Sequence, residues 1–169
     1  LQDSQVIARQ LIPMQMFLCA SPAYAAAHAL PNSLDELLQH PGISFRLPTG
    51  RICDWEFKVD GLSRKLTPQA KLSFNDEDLV LQAVLDGQGI AQLAGYLICD
   101  HLRSGALVPC LPQYSPDDRG HYICYLSRQH LPRRIRVFIA YMTAHILEIQ
   151  PTILAKNPQQ WRSPSMHDV

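Results

Sequence analysis

The sequence predicts an α/β layered domain, in which strands and helices alternate along the chain. Short apolar runs alternate with helical patterns, and two of these runs lead directly into a helix start. Hydrophobic residues make up 47% of the 169 positions, which is enough to bury a core. The predicted strands cover residues 14–20, 43–45, 55–59, 71–74, 107–110 and 121–126. The predicted helices cover residues 22–28, 34–40, 77–86, 95–104 and 132–149.

The two strand-to-helix junctions are the most informative positions. At the first, Ser21 can cap the helix that follows, and Pro22 suits the first helical position. At the second, either Asn75 or Asp76 can cap the next helix. If both strands lie in one parallel sheet, both helix starts open at its carboxyl edge, where α/β sheets bind ligands. The junctions are therefore a site hypothesis as well as a folding signal.

Periodicity describes the longer helices and the end of the chain. The helix over residues 77–86 is apolar around most of its circumference, which predicts burial on several sides, and Gly87 ends it. The last helix has an apolar stripe, which predicts docking on another layer of the protein: Ile135, Phe138, Ile139, Met142, Ile146 and Ile149. Residues 150–169 combine little periodicity with several prolines, and we expect a flexible tail.

Charge and cysteine usage argue against several classes of protein. Fifteen basic residues cancel fifteen acidic ones, so the chain lacks the positive field of a domain that itself grips nucleic acid. No apolar run is long enough to span a membrane, and the chain does not start with a signal peptide. The five cysteines include no C-x-x-C pair, which predicts free thiols in a reducing cytoplasm. The spacing of His and Cys residues predicts no metal site, and no cofactor is expected.

Several short blocks follow one another in a defined order. They are Ser21-Pro22-Ala23-Tyr24, Leu34-x-x-Leu37-x-x-His40, Trp55-x-Phe57, Phe74-Asn75-Asp76, Gly87-x-Gly89-Ile90-Ala91-Gln92-Leu93, Asp100-x-Leu102-x-x-Gly105-x-Leu107-Val108 and Pro132-Arg133-x-x-Arg136-x-Phe138-Ile139. This ordered set, within residues 3–148, resembles the effector-binding domain of LysR-type transcriptional regulators. The resemblance implies a periplasmic-binding-protein-like fold, in which a small effector binds in a cleft between two α/β subdomains.

The resemblance also implies how the chain is divided. We expect an effector-binding domain over residues 1–149, with one complete α/β subdomain at residues 19–126. Residues 1–18 and 127–149 would be remnants of the first subdomain and the crossovers between subdomains. No block matches the family's N-terminal winged helix-turn-helix or the first half of its first subdomain. The chain therefore resembles a C-terminal fragment of such a regulator.

The candidate effector-binding residues come from the two junctions and from one loop: Ser21, Pro22, Arg46, Phe74, Asn75 and Asp76. Ser21 is favoured as an anion site because no acidic side chain follows it in the next turn, although a capping role alone is equally compatible. Asn75 and Asp76 precede two acidic residues, which favour a neutral or cationic group there. Arg46 follows a predicted strand and, in a parallel sheet, would reach the same edge and pair with a carboxylate.

Two further patterns have both a structural and a functional interpretation. Trp55 either packs in the core or walls the cleft, and core packing is favoured. The basic cluster of Arg128, Arg133, Arg134 and Arg136 is either a DNA contact or the solvated face of the last helix. The apolar residues interleaved with the cluster at helical spacing favour the solvated face.

The resemblance implies a cytoplasmic, effector-sensing regulatory domain that controls transcription. A small, anionic effector would bind between the subdomains of a homo-oligomer, which is a dimer or tetramer in the full-length protein. DNA would be bound through the absent N-terminal domain only, and no membrane partner is expected. The alternative is a free-standing periplasmic-type solute-binding protein, which needs a signal peptide. An enzyme is the least favoured class, because no acid–base pair or activated nucleophile emerges from the motifs.

Overall fold

The computed structural model describes residues 6–116, 119–126 and 131–153, which contain nine strands, five α-helices and one 3₁₀ turn. The strands are β1 (Val6–Met14), β2 (Met16–Ala20), β3 (Gly42–Phe45), β4 (Trp55–Val59), β5 (Leu62–Leu66), β6 (Ala70–Phe74), β7 (Ala91–Ala94), β8 (Val108–Cys110) and β9 (Arg119–Leu126). The helices are α1 (Pro22–Ala27), α2 (Leu34–Leu37), α3 (Glu77–Leu85), α4 (Gly95–Arg103) and α5 (Arg133–Ile153), and the 3₁₀ turn is Pro112–Tyr114. The alternation of apolar runs and helical patterns in the sequence predicts most of these elements. The strands β1, β5 and β7 have no counterpart among the predicted strands.

The central sheet contains one strand that runs against its neighbours. β3 and β6 pair in parallel, and a parallel bridge between Gly42 and Ile90 joins β3 to the start of β7. β7 and β8 flank β2, and both are antiparallel to it. The strand order is therefore β6-β3-β7-β2-β8, with β2 reversed. Because β2 is reversed, it ends at the opposite edge of the sheet from β3 and β6.

Side-chain alternation along β2 divides the core into two layers. Phe17 and Cys19 join the layer formed with α3 and α4, whereas Leu18 and Ala20 join the layer on the other side of the sheet. Trp55 lies in this second layer with 6% of its surface exposed, which confirms the core interpretation.

α3 confirms the burial that its apolar circumference predicts. Its buried residues are Val80, Leu81, Ala83 and Val84. Leu79 is the exception, with half of its surface exposed. The helix ends at its predicted boundary, where Gly87 follows with the positive φ of 74° that favours glycine.

The β4–β5 hairpin is an element that the strand patterns did not predict. Asp60 and Gly61 form its two-residue turn with φ values of 51° and 79°, and β4 pairs with β5 from Val59 and Leu62 outward. β5 is exposed along most of its length and shows no apolar alternation. Only the Asp-Gly pair, a common hairpin signal, could have revealed it.

β1 and β9 form a separate antiparallel sheet, here called the crossover ladder. Its pairs run from Val6 beside Leu126 to Met14 beside Arg119, and the register shifts between Gln10 and Ile12. The predicted boundaries place residues 119–126 in the second subdomain, but these residues pair with β1 instead of joining its sheet.

α5 packs against β1 and α4 but leaves much of its apolar surface uncovered. Ile139 is buried, whereas Val137, Phe138 and Tyr141 are each more than half exposed. The helix continues to Ile153, past the predicted end at residue 149, and residues 154–169 of the expected tail lie outside the described residues. None of the helices in the described part of the chain has the length and apolar character needed to cross a membrane.

All five cysteines are free. Cys19, Cys99 and Cys110 are buried, and Cys53 and Cys124 are exposed. Burial raises the pKa of the Cys110 thiol to about 12, and burial also raises the pKa of the Cys19 thiol. These two thiols therefore stay protonated and behave as small apolar side chains.

Candidate functional site

The carboxyl edge of β3 and β6 brings four of the predicted residues together: Arg46, Phe74, Asn75 and Asp76. Phe45 lies beside Phe74 in the parallel pair, and the backbone N–H of Arg46 donates to the carbonyl of Phe74 at 2.7 Å. We call this region the Arg46 edge. The expectation that Arg46 and the second junction meet at one edge is confirmed, because it requires only that β3 and β6 be parallel.

Two neutral acceptors orient the guanidinium of Arg46. Nη1 donates to the carbonyl of Gly50 at 3.0 Å, and Nη2 donates to Ser73 Oγ at 2.6 Å. The loop after Arg46 is itself closed, since the N–H of Leu47 donates to the carbonyl of Arg51 at 2.9 Å. Within the described ranges no carboxylate pairs with Arg46. Its charge is therefore oriented but not neutralised, which suits it to bind an anion.

Asp76, rather than Asn75, caps α3. Its Oδ1 accepts the N–H groups of Asp78 at 2.8 Å and Leu79 at 3.4 Å, while the Asn75 side chain lies exposed beside it. Glu77 and Asp78 add negative charge to the first turn of the helix. The Arg46 edge therefore offers a cation on one side and carboxylates on the other.

Ser44 and Ser73 lie close to Arg46, and the motifs did not identify them. They pair across β3 and β6, and strand alternation places both hydroxyls on the sheet face that carries Arg46. Ser44 is fully buried, and its Oγ has no hydrogen-bond partner among the described residues. The sequence feature that could have identified these two positions is a serine within each of two short apolar strands.

Ser21 and Pro22 lie at the opposite edge of the sheet. β2 ends where its neighbours begin, with Cys19 opposite Ala91 on β7 and Ala20 opposite Val108 on β8. The expectation that both junctions open at one edge is therefore wrong, because β2 is antiparallel to its neighbours.

The surroundings of Ser21 are those of a helix cap. Its hydroxyl accepts the N–H of Tyr24 at 3.2 Å, and 2% of the residue is exposed. Its hydroxyl also faces Gly87, which follows the end of α3. The capping role is confirmed. Effector binding by Ser21 and Pro22 stays a prediction that this geometry does not support.

The crossover ladder joins the sheet at the Arg46 edge. Met16, the first residue of β2, lies opposite Ala94, the last residue of β7, and the N–H of Gly95 donates to the carbonyl of Gln15 at 2.8 Å. β7 runs parallel to β3, so its end lies at the same edge as Arg46. The charged edge thus borders the strands that lead out of the subdomain.

The described residues contain no group of three or more His, Cys, Asp or Glu side chains arranged to hold a metal ion. Of the basic cluster, Arg133, Arg134 and Arg136 are exposed on α5, and Arg128 lies outside the described residues. The exposed positions agree with the solvated-face interpretation.

The structure is an α/β domain in which polar and charged side chains collect at one sheet edge, next to the strands that cross out of that sheet. Comparison with known families makes the assignment specific. A family model described as the LysR substrate binding domain matches residues 1–146. The chain belongs to this family, as the ordered blocks predict.

Similar proteins are named as transcriptional regulators. The chain is 28% identical over 152 residues to the HTH-type transcriptional activator AaeR of Escherichia coli K12, covering 88% of this chain and 48% of that protein. It is 30% identical over 168 residues to the HTH-type transcriptional repressor PA14_22550 of Pseudomonas aeruginosa, covering 97% of this chain and 50% of that protein. The chain thus spans about half the length of these relatives.

Solved structures show the same fold. The regulatory domain of AphB from Vibrio vulnificus matches with a TM-score of 0.69 and 29% identity, over 86% of this chain and 71% of that one. The CrgA regulatory domain from Neisseria meningitidis matches with a TM-score of 0.65 and 25% identity, over the same shares of the two chains. The periplasmic-binding-protein-like α/β fold class is confirmed.

Proposed function

We propose that this chain is the effector-sensing regulatory part of a bacterial LysR-type transcriptional regulator and binds a small anionic molecule at the Arg46 edge. The carrying observation is the guanidinium of Arg46, which Gly50 and Ser73 orient and which no carboxylate in the described ranges neutralises. A carboxylate or similar planar anion is the ligand group that such a fork binds best.

The proposed site contains Arg46, Phe74, Asn75 and Asp76. Arg46 would pair with the anionic group of the effector, and Phe74, which is partly exposed, would contact its apolar part. The exposed amide of Asn75 and the acidic start of α3 would take a neutral or cationic group. An effector with an anionic end and a polar or amine group nearby fits this arrangement.

A thermal-shift screen of small carboxylic, hydroxy and amino acids against this chain tests the site. We expect at least one acid to raise the melting temperature, and Arg46→Gln to abolish that shift without lowering the melting temperature of the free protein much. Arg51→Gln is the matched control, since its exposed side chain lies in the same loop. A shift that survives Arg46→Gln but not Arg51→Gln would place the anion elsewhere.

The regulator is favoured over a free-standing solute-binding protein because the matched relatives are named as transcriptional regulators. We propose that it acts in the cytoplasm, performs no catalysis and contacts DNA through a separate N-terminal domain of the full-length protein. Residues 1–169 alone should show no sequence-specific gel shift with any candidate operator. A sequence-specific complex formed by this chain would contradict that division of labour.

We also propose that the full-length protein is a homo-oligomer and that this chain self-associates. The exposed apolar side chains of α5, including Phe138 and Tyr141, support this proposal. Sedimentation velocity should show a concentration-dependent dimer that Phe138→Glu weakens. A monomer at high concentration would argue against self-association through α5.

A further inference from the structure

An ion pair ties the crossover ladder to the β4–β5 hairpin. Arg119, the first residue of β9, places Nη2 against Oε2 of Glu56 on β4. Arg119 lies beside Met14 at the base of the ladder, and only Gln15 separates Met14 from the start of β2. A contact at this end of the ladder restricts the angle at which the rest of the ladder leaves the central sheet.

The backbone of Glu56 is bound on both its N–H and its carbonyl by one side chain of the central sheet. Its N–H donates to Oε1 of Gln92 at 2.8 Å, and Nε2 of Gln92 donates back to the carbonyl of Glu56 at 2.7 Å. Gln92 belongs to β7, so its side chain joins β4 to the central sheet as a backbone pair would. The strand that carries the carboxylate of Glu56 is therefore attached to the central sheet.

Two features make this ion pair easy to open. Nε of Arg119 is buried without a hydrogen-bond partner among the described residues, so release lets water reach it. Lys65 on β5 contacts the other oxygen of Glu56 at 3.1 Å, so the carboxylate keeps a cation when Arg119 leaves. Opening therefore leaves neither side chain as an unpaired buried charge. An unpaired buried charge is the usual free-energy cost of breaking a partly buried ion pair.

The ladder has other contacts with the subdomain that would remain. The rings of Tyr96 on α4 and His121 on β9 lie 5.8 Å apart, and α5 packs on both β1 and α4. Release of Arg119 would thus change the ladder's angle without detaching it.

We propose that Glu56 and Arg119 form a releasable latch that fixes the angle between the crossover ladder and the second subdomain. The latch goes beyond the proposed effector site and does not depend on what that site binds. A ligand or partner that prefers one ladder angle can shift the population of the two states only by its differential affinity for them.

Double electron–electron resonance on this chain tests the latch, because spin labels on its two exposed cysteines measure the distance between the ladder and the segment before β4. Cys124 lies on β9, and Cys53 lies just before β4. With nitroxide labels at both, Arg119→Gln and Glu56→Gln should give a distance distribution roughly twice as wide as wild type, or a second maximum. Lys65→Gln is the matched control, because it removes the other cation of Glu56 and should not widen the distribution.

Equal widths in wild type, Arg119→Gln and Glu56→Gln would overturn the latch, as would equal widening by Lys65→Gln. Far-UV circular dichroism of each variant checks that it is folded. If either Arg119→Gln or Glu56→Gln does not fold, the other decides the question by the same comparison of widths, and an unchanged width in the folded variant would overturn the latch.

Discussion

The two strand-to-helix junctions look alike in the sequence but lie at opposite edges of one sheet. At the Arg46 edge, β6 ends beside an arginine that no carboxylate in the described ranges neutralises. At the other edge, β2 ends at Ser21, whose hydroxyl is bound to the N–H of Tyr24. The direction of β2 alone produces this difference. A strand followed by a capped helix therefore indicates a ligand site only when the direction of the strand is known.

Gly89→Ala should have the largest effect, because it disrupts the bridge that fixes the two edges. A Cβ at Gly89 would overlap the carbonyl of Pro41, which accepts the N–H of Ile90 at 3.1 Å. We expect overpacking to lower the free energy of unfolding by about 3 kcal/mol, measured by urea denaturation. Gly61→Ala is the control for backbone strain alone, because its φ of 79° also favours glycine but a Cβ there meets open space. An equal loss in both variants would show that the contact with Pro41 is unimportant.

Gln92→Leu tests how the β4–β5 hairpin is attached to the central sheet. The substitution leaves the N–H and carbonyl of Glu56 without their partners, and we expect a loss of about 2 kcal/mol in unfolding free energy. Gln82→Leu is the matched control, since Gln82 makes only an exposed bond to Asp86, worth about 0.5 kcal/mol or less. Similar losses for the two variants would mean that the Gln92 side chain does not stabilise the attachment of β4 to the central sheet.

Ser21→Ala separates the two edges most directly. Loss of the cap on α1 should lower the free energy of unfolding by about 1 kcal/mol. The rise in melting temperature that a bound acid causes should stay unchanged. Ser33→Ala is the matched control, because Ser33 caps α2 through the N–H of Glu36 at 3.1 Å. If Ser21→Ala abolishes the ligand shift and Ser33→Ala does not, the effector site includes the first junction after all.

The smallest effect concerns pH at the Ser21 edge, where the Tyr24 hydroxyl and His40 Nδ1 lie 2.8 Å apart. Burial and the nearby His28 lower the pKa of His40, partly opposed by Glu36. The unfolded chain therefore takes up the proton first, so this stability is complete above the ordinary pKa of histidine and is lost as pH falls below it. Melting temperature should fall from about pH 7 to about pH 5, and less steeply in His40→Gln.

His101→Gln is the control for the pH experiment, because His101 lies on α4, which packs in the core layer on the other face of the sheet from Tyr24. A pH slope that is identical in wild type and His40→Gln would show that His40 does not couple to folding. A slope flattened equally by His101→Gln would show that the effect is not specific to the Tyr24–His40 pair.

Local features were predictable because they depend on near neighbours in the chain. Ser21 caps α1, Asp76 caps α3, and Gly87 follows the end of α3 with a positive φ, all as short-range sequence rules indicate. Arg46 reached its expected edge because β3 and β6 are parallel. β5 was not predicted because an exposed strand with polar residues lacks the apolar alternation that marks a strand.

The sequence by itself determined the alternating α/β fold class, the capped helix starts, the buried α3 and, through its ordered blocks, membership of the LysR substrate-binding family. Only the tertiary structure decided the direction of β2, the separation of Ser21 from Arg46 and the pairing of Arg119 with Glu56. The physical reason is range. Caps and periodicity act within a turn or a strand, whereas strand direction and ion pairs across the fold depend on how distant segments meet.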